Sequence, residues 1–128
     1  KMIDLAIKKE CGVIVMHRNP GSENIHQKAD YEDVVDQVNT HLIIQTENLI
    51  EKGVNRSQIA VDPGLGFGKK MEDSKELFFN LHNLINTYPI VVGYSRKKFT
   101  DQLNMTNNEM IDHCLDSGVD LLRLHLDN

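Results

Sequence analysis

The sequence has no tryptophan, and aromatic residues make up only 5% of it. Base-stacking platforms for single-stranded nucleic acid need exposed rings, so that class is disfavoured. Basic residues are outnumbered as well: fourteen Lys+Arg against nineteen Asp+Glu give a formal charge of −5. Nucleic-acid binders show the reverse balance. There are two cysteines, Cys11 and Cys114, far apart in sequence. That excludes a disulfide framework by count and a C-x-x-C redox or zinc motif by spacing, and fits reduced thiols in a cytoplasmic protein. No apolar run approaches the ~20 residues of a membrane span. The N-terminal stretch KMIDLAIKKECGVIVMH lacks the basic, apolar and small-residue order of a secretory signal. The first residue is Lys1 rather than Met, which is compatible with a start inside a longer protein.

What is present is ordinary globular material: 128 residues, 40% of them apolar and 26% charged. A chain of this size and composition buries a core and forms one domain. The pattern alternates between short apolar runs and helical stripes. Residues 2–9 read as a helix end. GVIVM at 12–16 reads as a strand buried on both faces. Residues 17–29 are polar with a Pro-Gly pair and read as a loop. From 31 to 52 apolar residues recur at steps of three and four, with Asp30 as N-cap and Gly53 as stop. Ile59 to Val61 form a second strand that ends at Asp62, before Pro63-Gly64 and the glycine-rich stretch GLGFGKK. A helix is expected over 73–86, with Leu77, Phe78, Leu81, Leu84 and Ile85 on one stripe. Pro89–Gly93 make the third strand. A capping box from Thr106 to Glu109 opens a helix carrying Met110, Ile111, Cys114 and Leu115. Gly118 ends that helix, and Val119–Leu124 make the fourth strand.

The order αβαβαβαβ predicts an α/β fold with a parallel sheet and right-handed crossovers. Two closures fit: a doubly wound open sheet, or part of a (β/α)8 barrel, whose full form takes about 250 residues. In both, chemistry gathers at the carboxyl ends of the strands. The unusual residues fall there in each unit: Met16-His17 after strand one, Asp62 after strand two, Ser95-Arg96-Lys97 after strand three, and Arg123 with His125 ending strand four. That coincidence points to an enzyme or a ligand binder.

Each residue also has a plain structural reading. Asp62 suits the first position of an Asp-Pro-Gly turn. GLGFGKK fits neither Walker A, because Pro63 stands where its first glycine belongs, nor the dinucleotide G-x-G-x-x-G spacing. SRKK can be a solvated basic turn. Arg123 and His125, two apart, share one side of a strand and can clamp an anion. His26, His41, His82 and His113 have no metal spacing and are read as loop or polar-face residues, and no metal site is assigned to any residue of this chain. Cys11 and Cys114 read as small packing residues.

VMH at 15–17, VDPGLGFGKK at 61–70, VVGYSRKKF at 91–99 and LLRLH at 121–125, in that order, resemble dihydropteroate synthase. So does NPGSENIHQKADYEDVVDQV between the first two. The resemblance spans nearly the whole chain. It implies strands five to eight of a (β/α)8 TIM barrel, with residues 1–128 as the C-terminal half of a pterin-binding domain. The activity it implies is condensation of 6-hydroxymethyl-7,8-dihydropterin diphosphate with p-aminobenzoate, giving dihydropteroate and pyrophosphate for folate biosynthesis. By motif position it implies that Asp62 holds the pterin nitrogens and that Lys97 reaches the pterin carbonyl and borders the p-aminobenzoate site. Gly93 admits the ring close to the backbone, and Met16 packs on it. Phe67 and Ser95 line the p-aminobenzoate side. Arg123 and His125 bind the diphosphate, and with Lys97 form the catalytic set. It further implies Mg2+, with its ligand upstream of Lys1, a homodimer, and no nucleic-acid or membrane partner. Two other readings stand beside it: a related pterin-binding domain of the methyltetrahydrofolate corrinoid methyltransferase type, and a non-catalytic degenerate copy.

Overall fold

The computed structural model describes residues 2–18, 32–67, 69–85, 87–93 and 102–123. Helix α1 spans Met2–Lys9, strand β1 Val13–Met16 and helix α2 Val34–Glu51. A short 3-10 turn, Arg56–Gln58, leads into β2, Ile59–Asp62. Helix α3, Met71–Phe79, and a second 3-10 turn, Leu81–Asn83, precede β3, Val91–Gly93. Helix α4, Asn107–Asp116, and β4, Leu121–Arg123, follow.

The strands pair in parallel with their next neighbours. Val13 to Met16 stand opposite Ile59 to Asp62, and Val91 to Gly93 opposite Leu121 to Arg123. A parallel bridge, Val61 to Ile90, joins the two pairs, with Val61 N–H donating to the Pro89 carbonyl at 2.9 Å. Among the described residues the order therefore runs β1-β2-β3-β4. Among these strands the order shows no reversal of the kind that defines a doubly wound sheet.

Alternation along the strands separates two faces. Val13, Val15, Ile59, Val61, Ile90, Val92 and Leu122 turn towards the helices and join the main core. Val34, Val38 and Leu42 of α2 and Met110 and Cys114 of α4 meet them at steps of four, and Leu77 and Phe78 of α3 join them. Each such fully buried side chain contributes roughly 1.5–3 kcal/mol. Ile14 and Leu121 lie on the other face and are 57% and 58% exposed.

The helix boundaries correct the sequence reading at two places. Helix α2 is capped by Asp33, whose carboxylate accepts from Asp36 N–H at 3.1 Å, not by Asp30. Asp33 immediately precedes the first buried residue of the stripe, Val34, so its side chain can reach the third helical N–H. Gly53 closes α2 with a left-handed φ of 104°, the conformation glycine supplies at a helix end. Helix α3 stops at Phe79 instead of running to residue 86. Asn80 donates its side-chain amide to the Glu76 carbonyl at 2.7 Å. The chain then tightens into the 3-10 turn, and Leu81 within it and Leu84 directly after it are still buried. The capping box of α4 forms as expected, with Thr106 and Glu109 exchanging hydrogen bonds at 3.1 and 3.2 Å.

Candidate functional site at the carboxyl edge of the sheet

Asp62 is the last residue of β2 and is 3% exposed. Its two carboxylate oxygens do different things. Oδ1 accepts from Gly64 N–H at 2.8 Å, closing the Asp-Pro-Gly turn. Oδ2 faces Arg123, whose Nη2 lies 3.9 Å away. The turn reading of Asp62 is thus realised through Oδ1, and it leaves Oδ2 towards Arg123. Burial raises its pKa from the ordinary carboxylate value, against the lowering effects of the Gly64 hydrogen bond, Arg123 and Lys69.

Ile14, Met16, Asp62, Val91, Leu121 and Arg123 line a cleft of about 260 Å³, with Leu122 at its wall. Met16 stands half-buried opposite Asp62 in the β1–β2 register. Arg123 stands opposite Gly93, and its guanidinium lies over that glycine. A Cβ at residue 93 would meet Arg123 Nη2 at 2.8 Å and Nε at 2.9 Å. The space that the sequence reading assigned to a ring above Gly93 is here filled by the guanidinium. An apolar wall with one buried carboxylate and one guanidinium suits a flat polar heterocycle that carries an anionic arm.

The loop after β2 is built around a residue that the sequence reading passed over. Lys69 is 2% exposed. Its Nζ donates to the Gly64 carbonyl at 2.7 Å and to the Phe67 carbonyl at 3.1 Å. Burial lowers its pKa to about 7, although Asp62 and Asp73 act to raise it. Nothing in the spelling GFGKK marks the first lysine as buried and the second as half-buried. Phe67 donates its N–H to the Gly64 carbonyl at 3.0 Å and is half-buried on this loop; it does not line the cleft. Gly66 N–H is taken by Ser74 Oγ at 3.0 Å, which ties the loop to α3.

His17, directly after β1, is also buried, and its N–H donates to the Asp62 carbonyl at 3.0 Å. Its ring meets His41 of α2 edge-on, with centroids 4.8 Å apart. Burial, then Lys69 and His41, lower the His17 pKa to about 3. Burial and Lys69 lower that of His41 as well. His41 is therefore not a polar-face residue. Nor is His113, whose Nε2–H donates to the Phe78 carbonyl at 2.6 Å with its ring against Phe78. Cys114 is buried and its thiol is pushed up to about 11, whereas Cys11 is exposed.

Of the expected site residues, the structure brings together Met16, Asp62, Gly93 and Arg123, and places Phe67 on the loop that follows Asp62. Ser95, Lys97 and His125 lie outside the described residues, as does most of the polar stretch 17–29.

The sequence matches the family of pterin binding enzymes over residues 1–125. The chain belongs to the pterin-binding enzyme family. Within this family it is 29% identical to the dihydropteroate synthase of Streptococcus pyogenes, over 98% of this chain and 48% of that protein. The solved Xanthomonas albilineans dihydropteroate synthase with 4-aminobenzoic acid superposes with a TM-score of 0.79 at 26% identity, covering 94% of this chain and 46% of that one. The Anaplasma phagocytophilum dihydropteroate synthase with bound 6-hydroxymethylpterin-monophosphate gives 0.78 at 26% identity, covering 95% and 52%. The chain thus has the parallel α/β fold of these synthases and spans about half their length. No described helix is long and apolar enough to cross a membrane.

Proposed function

We infer that this chain supplies strands five to eight of a (β/α)8 barrel and that the intact protein is a dihydropteroate synthase. In this reading residues 1–128 are the C-terminal half of the pterin-binding domain. The rest of the barrel covers the exposed Ile14 and Leu121. The observation that carries it is the meeting of Asp62 and Arg123 over an apolar cleft, at the edge where a barrel holds its active site. A buried carboxylate accepts from the amino and ring N–H groups of a pterin, and an adjacent guanidinium takes the phosphate arm.

The reaction is displacement of pyrophosphate from the hydroxymethyl carbon of the pterin diphosphate by the p-aminobenzoate amine. The new bond is carbon–nitrogen, the broken bond carbon–oxygen, and the amine proton is lost. Asp62 fixes the pterin and Met16 packs on its face. Lys97 holds the pterin carbonyl, and Phe67 with Ser95 borders the amine substrate. Arg123 and His125 stabilise charge on the departing diphosphate. Because the guanidinium occupies the space over Gly93, binding of the ring there requires Arg123 to swing outward towards the diphosphate, which its exposed side chain can do.

The described residues hold no group of three or more His, Cys, Asp or Glu able to bind a metal ion. Mg2+ in this reading belongs to an upstream residue. The functional unit is a homodimer, and its location cytoplasmic. Incorporation of labelled p-aminobenzoate into dihydropteroate by the intact protein tests the reading. Product that depends on Asp62 and Arg123 supports it; pterin binding without product assigns the chain instead to a non-catalytic relative.

A further inference from the structure

The glycine-rich loop after β2 runs into two lysines, and the first of them is turned into the loop itself. Lys69 is 2% exposed, and its Nζ is committed to two carbonyl oxygens of its own loop, those of Gly64 and Phe67. Those oxygens mark the two ends of the tight turn closed by the Phe67 N–H to Gly64 carbonyl bond. The turn connects directly to Asp62, whose Oδ1 is held by Gly64 N–H. Gly64 is hemmed in on both sides. A Cβ there would run into the His17 carbonyl oxygen and come within 3.2 Å of Lys69 Nζ. One buried amine therefore sets the backbone that presents the Asp62 carboxylate at one end and the Phe67 ring at the other.

We propose that Lys69 is a positioning residue: clamped on Gly64 and Phe67, it fixes the loop that places Asp62 for the pterin and Phe67 for the second substrate. This deepens the synthase reading and rests on it. Its charge has a second effect. The groups facing Lys69 are Asp62 at the end of β2, Asp73 of α3, His17 after β1 and His41 of α2, with Arg123 of β4 beyond Asp62. A cation beside Asp62 favours its ionised form, the form that accepts from the pterin. Removing it raises the pH below which Asp62 loses its charge.

The test is Lys69→Met in the intact protein, a change that keeps the chain length and removes the donor. Affinity for 6-hydroxymethylpterin diphosphate is measured by calorimetry between about pH 4 and pH 8. Thermal unfolding serves as the folding control. The expected result is a loss of about tenfold or more near neutrality, with the acid limb of the affinity profile moved to higher pH in a folded variant. A mere packing role would not move that limb. Wild-type affinity with an unmoved acid limb overturns the proposal. If the variant does not fold, NMR titration of the Lys69 Nζ in the wild-type protein decides. A value well below that of an exposed lysine, with slow amine exchange, supports the clamp; an ordinary lysine value with fast exchange overturns it. Asp62→Asn run in parallel separates the two levels. If that change leaves pterin affinity intact, the synthase reading fails, and the Lys69 titration still tests the clamp by itself.

Discussion

Arg123 reaches Asp62 by crossing Gly93. The arginine is on β4, the aspartate ends β2, and β3 runs between them with a glycine opposite the arginine. The missing side chain at residue 93 is what leaves room for the guanidinium, whose Nη2 is 3.9 Å from Asp62 Oδ2. Three strand ends thus share one electrostatic unit, and the glycine is as much a part of it as the two charges.

Gly93→Ala is expected to disturb the site without disturbing the fold. The added methyl first meets the far end of a flexible, exposed side chain, so the stability change should stay within about 1 kcal/mol. Arg123 must move off, and Asp62 then loses one of the influences that hold its pKa down. Affinity for the pterin diphosphate should drop while the thermal midpoint hardly shifts. A large drop in thermal midpoint would show that the guanidinium is not the group displaced.

Gly64→Ala should behave in the opposite way. Its φ of 72° is left-handed, and the new Cβ would collide with the backbone carbonyl of His17. The His17 backbone cannot yield as a flexible side chain can. A loss of more than about 1–3 kcal/mol is expected, read as a lower urea midpoint at unchanged slope. A variant of wild-type stability would contradict the loop geometry.

Acid should unfold the protein partly through His17. Its pKa is about 3 in the folded chain against 6.5 for a free histidine. Below 6.5 the unfolded state binds a proton that the folded state refuses, so this contribution is complete above pH 6.5 and is lost as pH falls towards 3. The slope approaches about 1.4 kcal/mol per pH unit in that window. Asp62, with its pKa raised, acts with the opposite sign just above its ordinary value, and His41, with its pKa lowered, with the same sign just below 6.5, so the His17 share is read as the difference from a His17 variant. Denaturant midpoints measured across that window should fall less steeply in His17→Asn than in the wild type. Parallel lines would place the proton uptake elsewhere.

Much of this was legible in the residues, and the gaps have physical causes. Val13–Met16, Ile59–Asp62 and Val91–Gly93 stood out because buried parallel strands demand uninterrupted β-branched runs. Asp62 and Arg123 stood out because each ends such a run. Helix α3 was overextended because Leu84 is buried from a 3-10 turn as effectively as from a helix, and periodicity sees only burial. Asp33 was missed as the cap because Asp30, three residues earlier, satisfies the same rule, and only the backbone decides. Lys69 and the His17–His41 pair were invisible for a deeper reason. A buried lysine or histidine is created by contacts between distant segments, and no local pattern announces it.

The measurement closest to the central claim is the affinity of the intact protein for 6-hydroxymethyl-7,8-dihydropterin diphosphate, compared by calorimetry with Asp62→Asn. The substitution keeps the size of the side chain but turns an acceptor oxygen into an N–H donor facing ring donors. Loss of a charged hydrogen-bond partner in a buried site costs about 1.5–3 kcal/mol, so affinity should fall by about tenfold or more. Equal affinity in the two proteins would contradict the assignment of Asp62 to the pterin, and with it the synthase reading of this site.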